Sequence, residues 1–259
     1  MQLLVETYKE QINVFDHIQF TMEDHLYHID GKKAQSVTTV LNNYVKPFER
    51  EYWANIKAKK LGISPSEILE QWEFGAKLSK VKGTLVHSFM ESSLTANNFT
   101  YPEEAIMQAF GYDPIQDSFN QILPQAQKFI ADIQDKMFPI ASELIIGDSE
   151  YLVCGTIDQL FYNKKSGKLE IWDWKTNKAI KTISKYFHLA PLAHIPDTEL
   201  DHYSLQLSLY KLILAKNTGL ELGECYLTWF NETKPAYTVF RAKDYRAEAI
   251  LILNSLKLL

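Results

Sequence analysis

The chain has 259 residues, 46% of them hydrophobic and 13% aromatic, enough to bury a sizeable core in one elaborated domain, with no low-complexity tract that would read as a disordered linker. Its net charge of −5 argues against a uniformly basic nucleic-acid coat. Two distant cysteines, Cys154 and Cys225, exclude a disulfide framework or a four-cysteine metal site within the chain, and the absence of a leader-like start or of roughly 18 consecutive apolar residues leads us to expect a cytoplasmic protein with no membrane partner.

The first thirty residues read as short extended pieces around an Asp30-Gly31 turn, with His25 and His28 three apart and facing opposite sides, in structural roles. Ser36 or Thr38 is placed to cap a helix over Val37–Leu41. A helical region then runs to about Ser93, in three parts: Glu49–Leu61, Ser64–Glu73 with Pro65 in its first turn, and Lys77–Leu94. Residues 97–118 read as a loop-rich insertion. An amphipathic helix over Phe119–Met137 stops before Pro139. Three apolar-rich strands follow, Ile140–Ile146, Tyr151–Tyr162 and Lys168–Lys175, parted by turn residues and expected to form an antiparallel meander. A proline-bearing loop leads to a helix over Thr198–Asn217, ended by Gly219. Strands at Glu224–Phe230 and Tyr237–Arg241 and a closing helix at Asp244–Leu258 complete the chain. The order is αβββαβ, an α/β fold with residues 1–118 as an N-terminal extended and helical elaboration and residues 119–259 as the core, together one domain.

Chemistry concentrates on the last two strands of the meander. In Ile171-Trp172-Asp173-Trp174-Lys175 the two-residue period of a strand puts Asp173 and Lys175 on one face and both tryptophans on the other. A hairpin near Ser166 brings Asp158 of the preceding strand toward Asp173. Hard divalent cations take oxygen ligands, often one or two carboxylates plus substrate phosphate, so this pair suits Mg²⁺ or Mn²⁺. A lysine beside such a cation can orient water, help it lose a proton and offset charge at phosphorus. Seven lysines between Lys164 and Lys185, against Glu170 and Asp173, make a locally basic window that reads either as a solvated loop or as a contact for a phosphate backbone.

On two helices, spacing gathers further polar groups. Gly83, His87 and Glu91 share one face at i, i+4 and i+8, with Gly83 leaving room for close approach and His87 available as a neutral imidazole ligand. Gln206 and Tyr210 share a face with Tyr203 and Ile213 on the later helix.

Asp158, a gap of about fifteen residues and then Asp173-Trp174-Lys175 resembles the signature of the PD-(D/E)XK nuclease superfamily, whose core order is αβββαβ with a mixed central sheet. Gly83-Thr84-Leu85-Val86-His87 and Gln206-Leu207-Ser208-Leu209-Tyr210 resemble the Gly-x-x-x-His and Gln-x-x-x-Tyr helices of its RecB-like branch. Ile157 stands where the familiar signature has proline. The stretch from Ser36 to Leu214, with Ser36-Val37-Thr38 and the helices carrying Trp53 and Trp72, is similar to the mitochondrial genome maintenance group of single-strand-specific exonucleases and related phage and bacterial proteins.

The resemblance implies a metal-dependent deoxyribonuclease acting in DNA replication, recombination or repair in a bacterial or phage-infected cell. It implies catalysis by Asp158, Asp173, Lys175, Gln206 and Tyr210, with metal held by His87, Asp158 and Asp173. Glu91 and Glu143 are expected beside the metal ligands, and Ser36 and Thr38 toward a terminal phosphate. Single-stranded DNA with a free end is the expected partner, alongside a replication or recombination protein. A structure-specific or double-strand-processing nuclease, or an inactive binding module of the same fold, are the alternatives.

Overall fold

A computed structural model describes residues 2–21, 24 and 26–257. The N-terminus departs from expectation: Gln2–Ile12 forms helix α1 rather than an extended piece, because Val5 and Ile12, two turns apart, are both buried against the core. A short 3₁₀ turn leads to β1 (Ile18–Thr21), β2 (Leu26–Ile29) and β3 (Lys32–Ser36), an antiparallel ladder. His28 lies on β2, while His25 falls outside the described residues.

Helix α2 (Val37–Asn42) starts where expected, with Ser36 accepting from the Thr39 amide at 3.0 Å. Helix α3 spans Arg50–Leu61 and ends on Gly62 in the left-handed region. The two helices expected next are one, α4 (Pro65–Leu94). Ser64 and Glu67 close a capping box at its start, and Gly75 alone costs about 1 kcal/mol against alanine, too little to interrupt a helix packed along its length. The expected insertion contains α5 (Glu103–Phe110) and the start of α6 (Gln116–Ile133), since Asp113 accepts from the Ile115 and Gln116 amides and starts α6 early.

Strands β4 (Met137–Asp148), β5 (Val153–Asn163) and β6 (Lys168–Lys175) form the antiparallel meander. Pro139 falls inside β4, where the register shifts by one residue, a position that tolerates a missing amide donor. Helix α7 (Glu199–Thr218), β7 (Leu222–Trp229), β8 (Thr238–Arg241) and α8 (Arg246–Leu256) follow within a few residues of expectation. The expected end of that last helix, Leu258, lies outside the described residues.

Among the described residues, eight strands join one mixed sheet, with β6 and β7 parallel, β3 and β5 parallel, and the other pairs antiparallel. Helices α4 and α6 cover one face through a core that includes Phe129, Trp172, Trp174 and Phe230. Helices α2, α7 and α8 belong to the other core, with Ile157, Leu169, Ile171 and Leu207. The order from α6 to β7 is therefore the αβββαβ arrangement with a mixed central sheet that was expected. Cys154 and Cys225 are buried free thiols whose pKa burial pushes up to about 12, which keeps them unreactive. No described helix is long and apolar enough to cross a membrane.

Candidate active site

The site begins with a fork in the sheet. One edge of β5 pairs with β4 along its length, while the other edge is shared: β3 takes Val153 and Cys154, and β6 takes Gln159 to Asn163. Between them, residues 155–158 have no strand on that side. The β5–β6 ladder stops at Gln159 opposite Trp172, after which β6 follows β7. A side chain makes the next bond across the fork: the Trp174 amide donates to Asp158 Oδ2 at 2.7 Å. Asp158 is thus fixed at the point where the strands part, with Oδ1 left for other groups.

Alternation on β6 does what the sequence implied. Trp172 and Trp174 enter the α4–α6 core, while Asp173 and Lys175 point the opposite way, with Lys175 Nζ 2.6 Å from Asp173 Oδ2. This close ion pair is the contact that the otherwise buried Asp173 Oδ2 makes.

From α4, His87 reaches into the fork. Its Nε2–H donates to the Trp174 carbonyl at 3.1 Å, and Nδ1 lies 3.4 Å from Glu143 Oε1 and 3.6 Å from Asp158 Oδ1. Glu143 comes from β4, opposite the fork, with a backbone φ of +48°. That left-handed backbone is costly for a residue with a Cβ, and it sits within the charged cluster. One ligand atom each from His87, Glu143 and Asp158 lies within 4.8 Å of the others. The structure therefore draws Glu143 into the donor group, while Asp173 stands beside it, engaged with Lys175. Glu91 lines the same cleft, with Gly83, His87, Ser88 and Glu143, a space of about 450 Å³.

The charges are mutually dependent. Burial alone lowers the His87 pKa, but Asp158 and then Glu143 outweigh it and raise the value to about 9. Burial raises Asp158, against the pull of His87 and Lys175. Asp173 is likewise pushed up to about 6 by burial, with Lys175 opposing and Asp158 adding. Burial works against the Lys175 charge, but Asp173 and Asp158 hold the ammonium protonated well above its usual range. Carboxylate oxygens of Glu143 and Asp158 gathered within 4.8 Å of an imidazole nitrogen of His87 fit a divalent cation.

A metal-free measurement checks the His87 assignment. Its folded pKa exceeds the ordinary imidazole value of 6.5, so its ion pairs stabilise the protein fully below that value and are lost as pH rises through about 9. NMR titration of the His87 ring is expected to give a midpoint near 9. Asp158→Asn should lower that midpoint, since the largest upward influence is gone. A midpoint that stays put in the variant would show that Asp158 does not govern the imidazole.

Gln206 and Tyr210 sit on the face of α7 turned to β5. Gln206 Nε2 donates to Tyr210 Oη at 2.9 Å, and the Tyr210 ring lies so close to β5 that a Cβ on Gly155 would come within 2.3 Å of it. Gly155 is thus the glycine that close approach requires. At Gly83 a Cβ would meet Thr176 only at 3.7 Å, so alanine would fit there, contrary to the close approach expected of it. The aromatic ring on Lys175 belongs to Tyr203, 4.5 Å from Nζ, a contact with no signal in the motif spacing. Ser36 is occupied with the Thr39 amide and hydroxyl, and Thr38 is exposed on the six-residue α2. No described contact joins either to the cluster.

Comparison with known proteins follows this geometry. Residues 66–250 match the profile of the PD-(D/E)XK nuclease superfamily. No curated protein matches the sequence. Among solved structures, a candidate exonuclease from Eubacterium rectale aligns with 70% of this chain at 17% identity and a TM-score of 0.40, and this chain spans 64% of its length. The protein SSO0001 aligns with 69% of this chain and 86% of its own, at 12% identity and a TM-score of 0.30. At these scores the two likenesses carry no argument about chemistry.

Proposed function

Because the chain belongs to the PD-(D/E)XK nuclease superfamily, we propose that it is a divalent-metal-dependent exonuclease of the RecB-like branch, acting as one unit on single-stranded DNA with a free end. The observation that carries this reading is the meeting of His87, Asp158, Asp173 and Lys175 where β5 and β6 part. The helices bearing Gly83 and His87, and Gln206 and Tyr210, support the RecB-like placement and the likeness to the mitochondrial genome maintenance group.

His87, Glu143 and Asp158 would hold the cation, with Asp173 beside them. Bound Mg²⁺ or Mn²⁺ supplies a Lewis acid for the scissile phosphate and eases deprotonation of water. Lys175, kept protonated by Asp173 and Asp158, donates from Nζ and offsets charge developing on the phosphate. In that state it acts as a cationic donor rather than a base. The Trp174 amide keeps Asp158 Oδ2 occupied and so aims Oδ1 toward His87.

Single-strand preference rests on the surface around the fork. Phe48 just before α3, Tyr52 and Trp53 on α3 and Phe74 on α4 are exposed, the first two at 63% and 55%, with Lys57 lying 5.5 Å from the Trp72 ring centre. Rings and cations side by side stack splayed bases and hold their phosphates. Of the neighbouring aromatic and basic residues, Tyr44 is buried and Lys82 is paired with Glu232 at 2.8 Å, so neither serves DNA. On the α7 side, Lys46, Lys181, Lys185 and Tyr203 line a second cleft of about 590 Å³.

Linear single strands are expected to be degraded at least about tenfold faster than covalently closed circles of the same sequence in Mg²⁺ or Mn²⁺, with binding weakened steeply by salt. Sizing of end-labelled products over time checks this. Efficient cutting of closed circles would identify an endonuclease instead, the reading that a structure-specific nuclease requires.

A further inference from the structure

Lys175 closes β6, and its backbone carbonyl accepts from the Phe230 amide at 2.9 Å, so the Cα is fixed by β7. The side chain crosses a buried space to two groups, Asp173 Oδ2 at 2.6 Å and the ring of Tyr203 at 4.5 Å from its centre. That ring is itself held. Asn177 Nδ2 donates to Tyr203 Oη at 2.8 Å, and the Asn177 carbonyl accepts from Trp229 Nε1 at 2.7 Å and from Asn231 Nδ2 at 2.9 Å. The turn after β6, the end of β7 and the first turns of α7 are thereby tied together around one aromatic face.

We infer that Tyr203 is the positioning residue for Lys175, holding its ammonium by cation–π attraction in addition to the ion pair with Asp173. The inference rests on the nuclease reading given above. Asp173 stands beside His87, Glu143 and Asp158, which would hold a cation, and a carboxylate drawn toward that cation would loosen its hold on Nζ. The ring face is then the attraction that keeps the lysine aimed, in a site where such a contact is desolvated and strong. The phenol hydroxyl fixes the ring through Asn177 and does not touch the lysine, so the ring and not the hydroxyl carries the role.

The test combines kinetics with a signal that needs no turnover. Tyr203→Leu is expected to slow single-turnover cleavage about tenfold with little change in DNA affinity, and Tyr203→Phe to restore the rate to within about threefold. In a Lys175→Ala background, Tyr203→Leu should slow cleavage no further, because the group it positions is gone. In the metal-free protein, the Lys175 Hε protons should be shifted upfield by the ring, and the shift should vanish in Tyr203→Leu. Equal, additive losses in both backgrounds, a Tyr203→Phe as slow as Tyr203→Leu, or no ring-induced shift would each overturn the inference. Should Tyr203→Leu fail to fold, replacing Tyr203 with phenylalanines of increasing fluorination keeps shape while weakening the ring face, and a rate independent of fluorine number would overturn it equally. If Lys175→Ala alone leaves cleavage intact, it is the nuclease assignment of Lys175 that fails.

Discussion

Asp158→Asn and Asp173→Asn are each expected to lower Mg²⁺-dependent DNA cleavage by about 10³-fold or more, while both proteins remain folded. The reasoning starts from what asparagine keeps. At position 158 an amide oxygen can still accept from the Trp174 amide, so the fork between β5 and β6 stays closed at that point, whereas the negative charge facing His87 is lost. Cation binding then weakens, because a hard divalent ion is held by carboxylate charge. At position 173 the loss has a second consequence. Lys175 Nζ loses its nearest counter-charge and keeps only Asp158, so Asp173→Asn should melt at a lower temperature than Asp158→Asn. Cleavage rates, thermal melts and calorimetric cation titration separate these effects. A folded variant with near-wild-type rate removes that residue from the site, and activity undiminished by a chelator removes the metal altogether.

Lys175→Ala is expected to reduce the single-turnover rate by about 10²- to 10⁴-fold, with DNA affinity changed only a few-fold. The lysine is almost closed to solvent and sits between acids rather than on the DNA-facing surface, so it contributes little to general phosphate attraction. Its removal also leaves Asp173 without its nearest cation and Asp158 with His87 alone, which raises the pKa values of both buried carboxylates further and makes the variant gain stability as pH falls toward the acid range. A variant that binds DNA poorly but cleaves bound DNA at the normal rate would show that Lys175 holds substrate and takes no part in chemistry.

Much of the core order was legible because it rests on local repetition. Period-two alternation on Lys168–Lys175 separates Trp172 and Trp174 from Asp173 and Lys175 whatever the rest of the chain does, and the structure shows that separation. Turn residues mark the ends of β4, β5 and β6 for the same reason. The N-terminal elaboration was read less well. Helix α1 depends on a surface to bury Val5 and Ile12, and α4 runs through Gly75 because packing along its length outweighs one weak position.

The candidate site divides along the same line. Residue types and spacing, together with the family resemblance they carry, named His87, Asp158, Asp173, Lys175, Gln206 and Tyr210, since each motif lies within one helix or strand, where geometry follows from position. Which of them touch is a matter of register between segments far apart in sequence. The β5–β6 ladder stops one pair short of Asp158, and only that stop lets the Trp174 amide reach its carboxylate. The meander sets Glu143 opposite Asp158, with a left-handed backbone that no local pattern announces. The packing of α7 brings Tyr203, rather than Tyr210, over Lys175 and presses Tyr210 onto Gly155. The sequence by itself determined which groups each element offers. The tertiary structure alone decided which of them share a few ångströms of buried space, because charge coupling, cation capture and ring contacts fall off over distances shorter than any element is long.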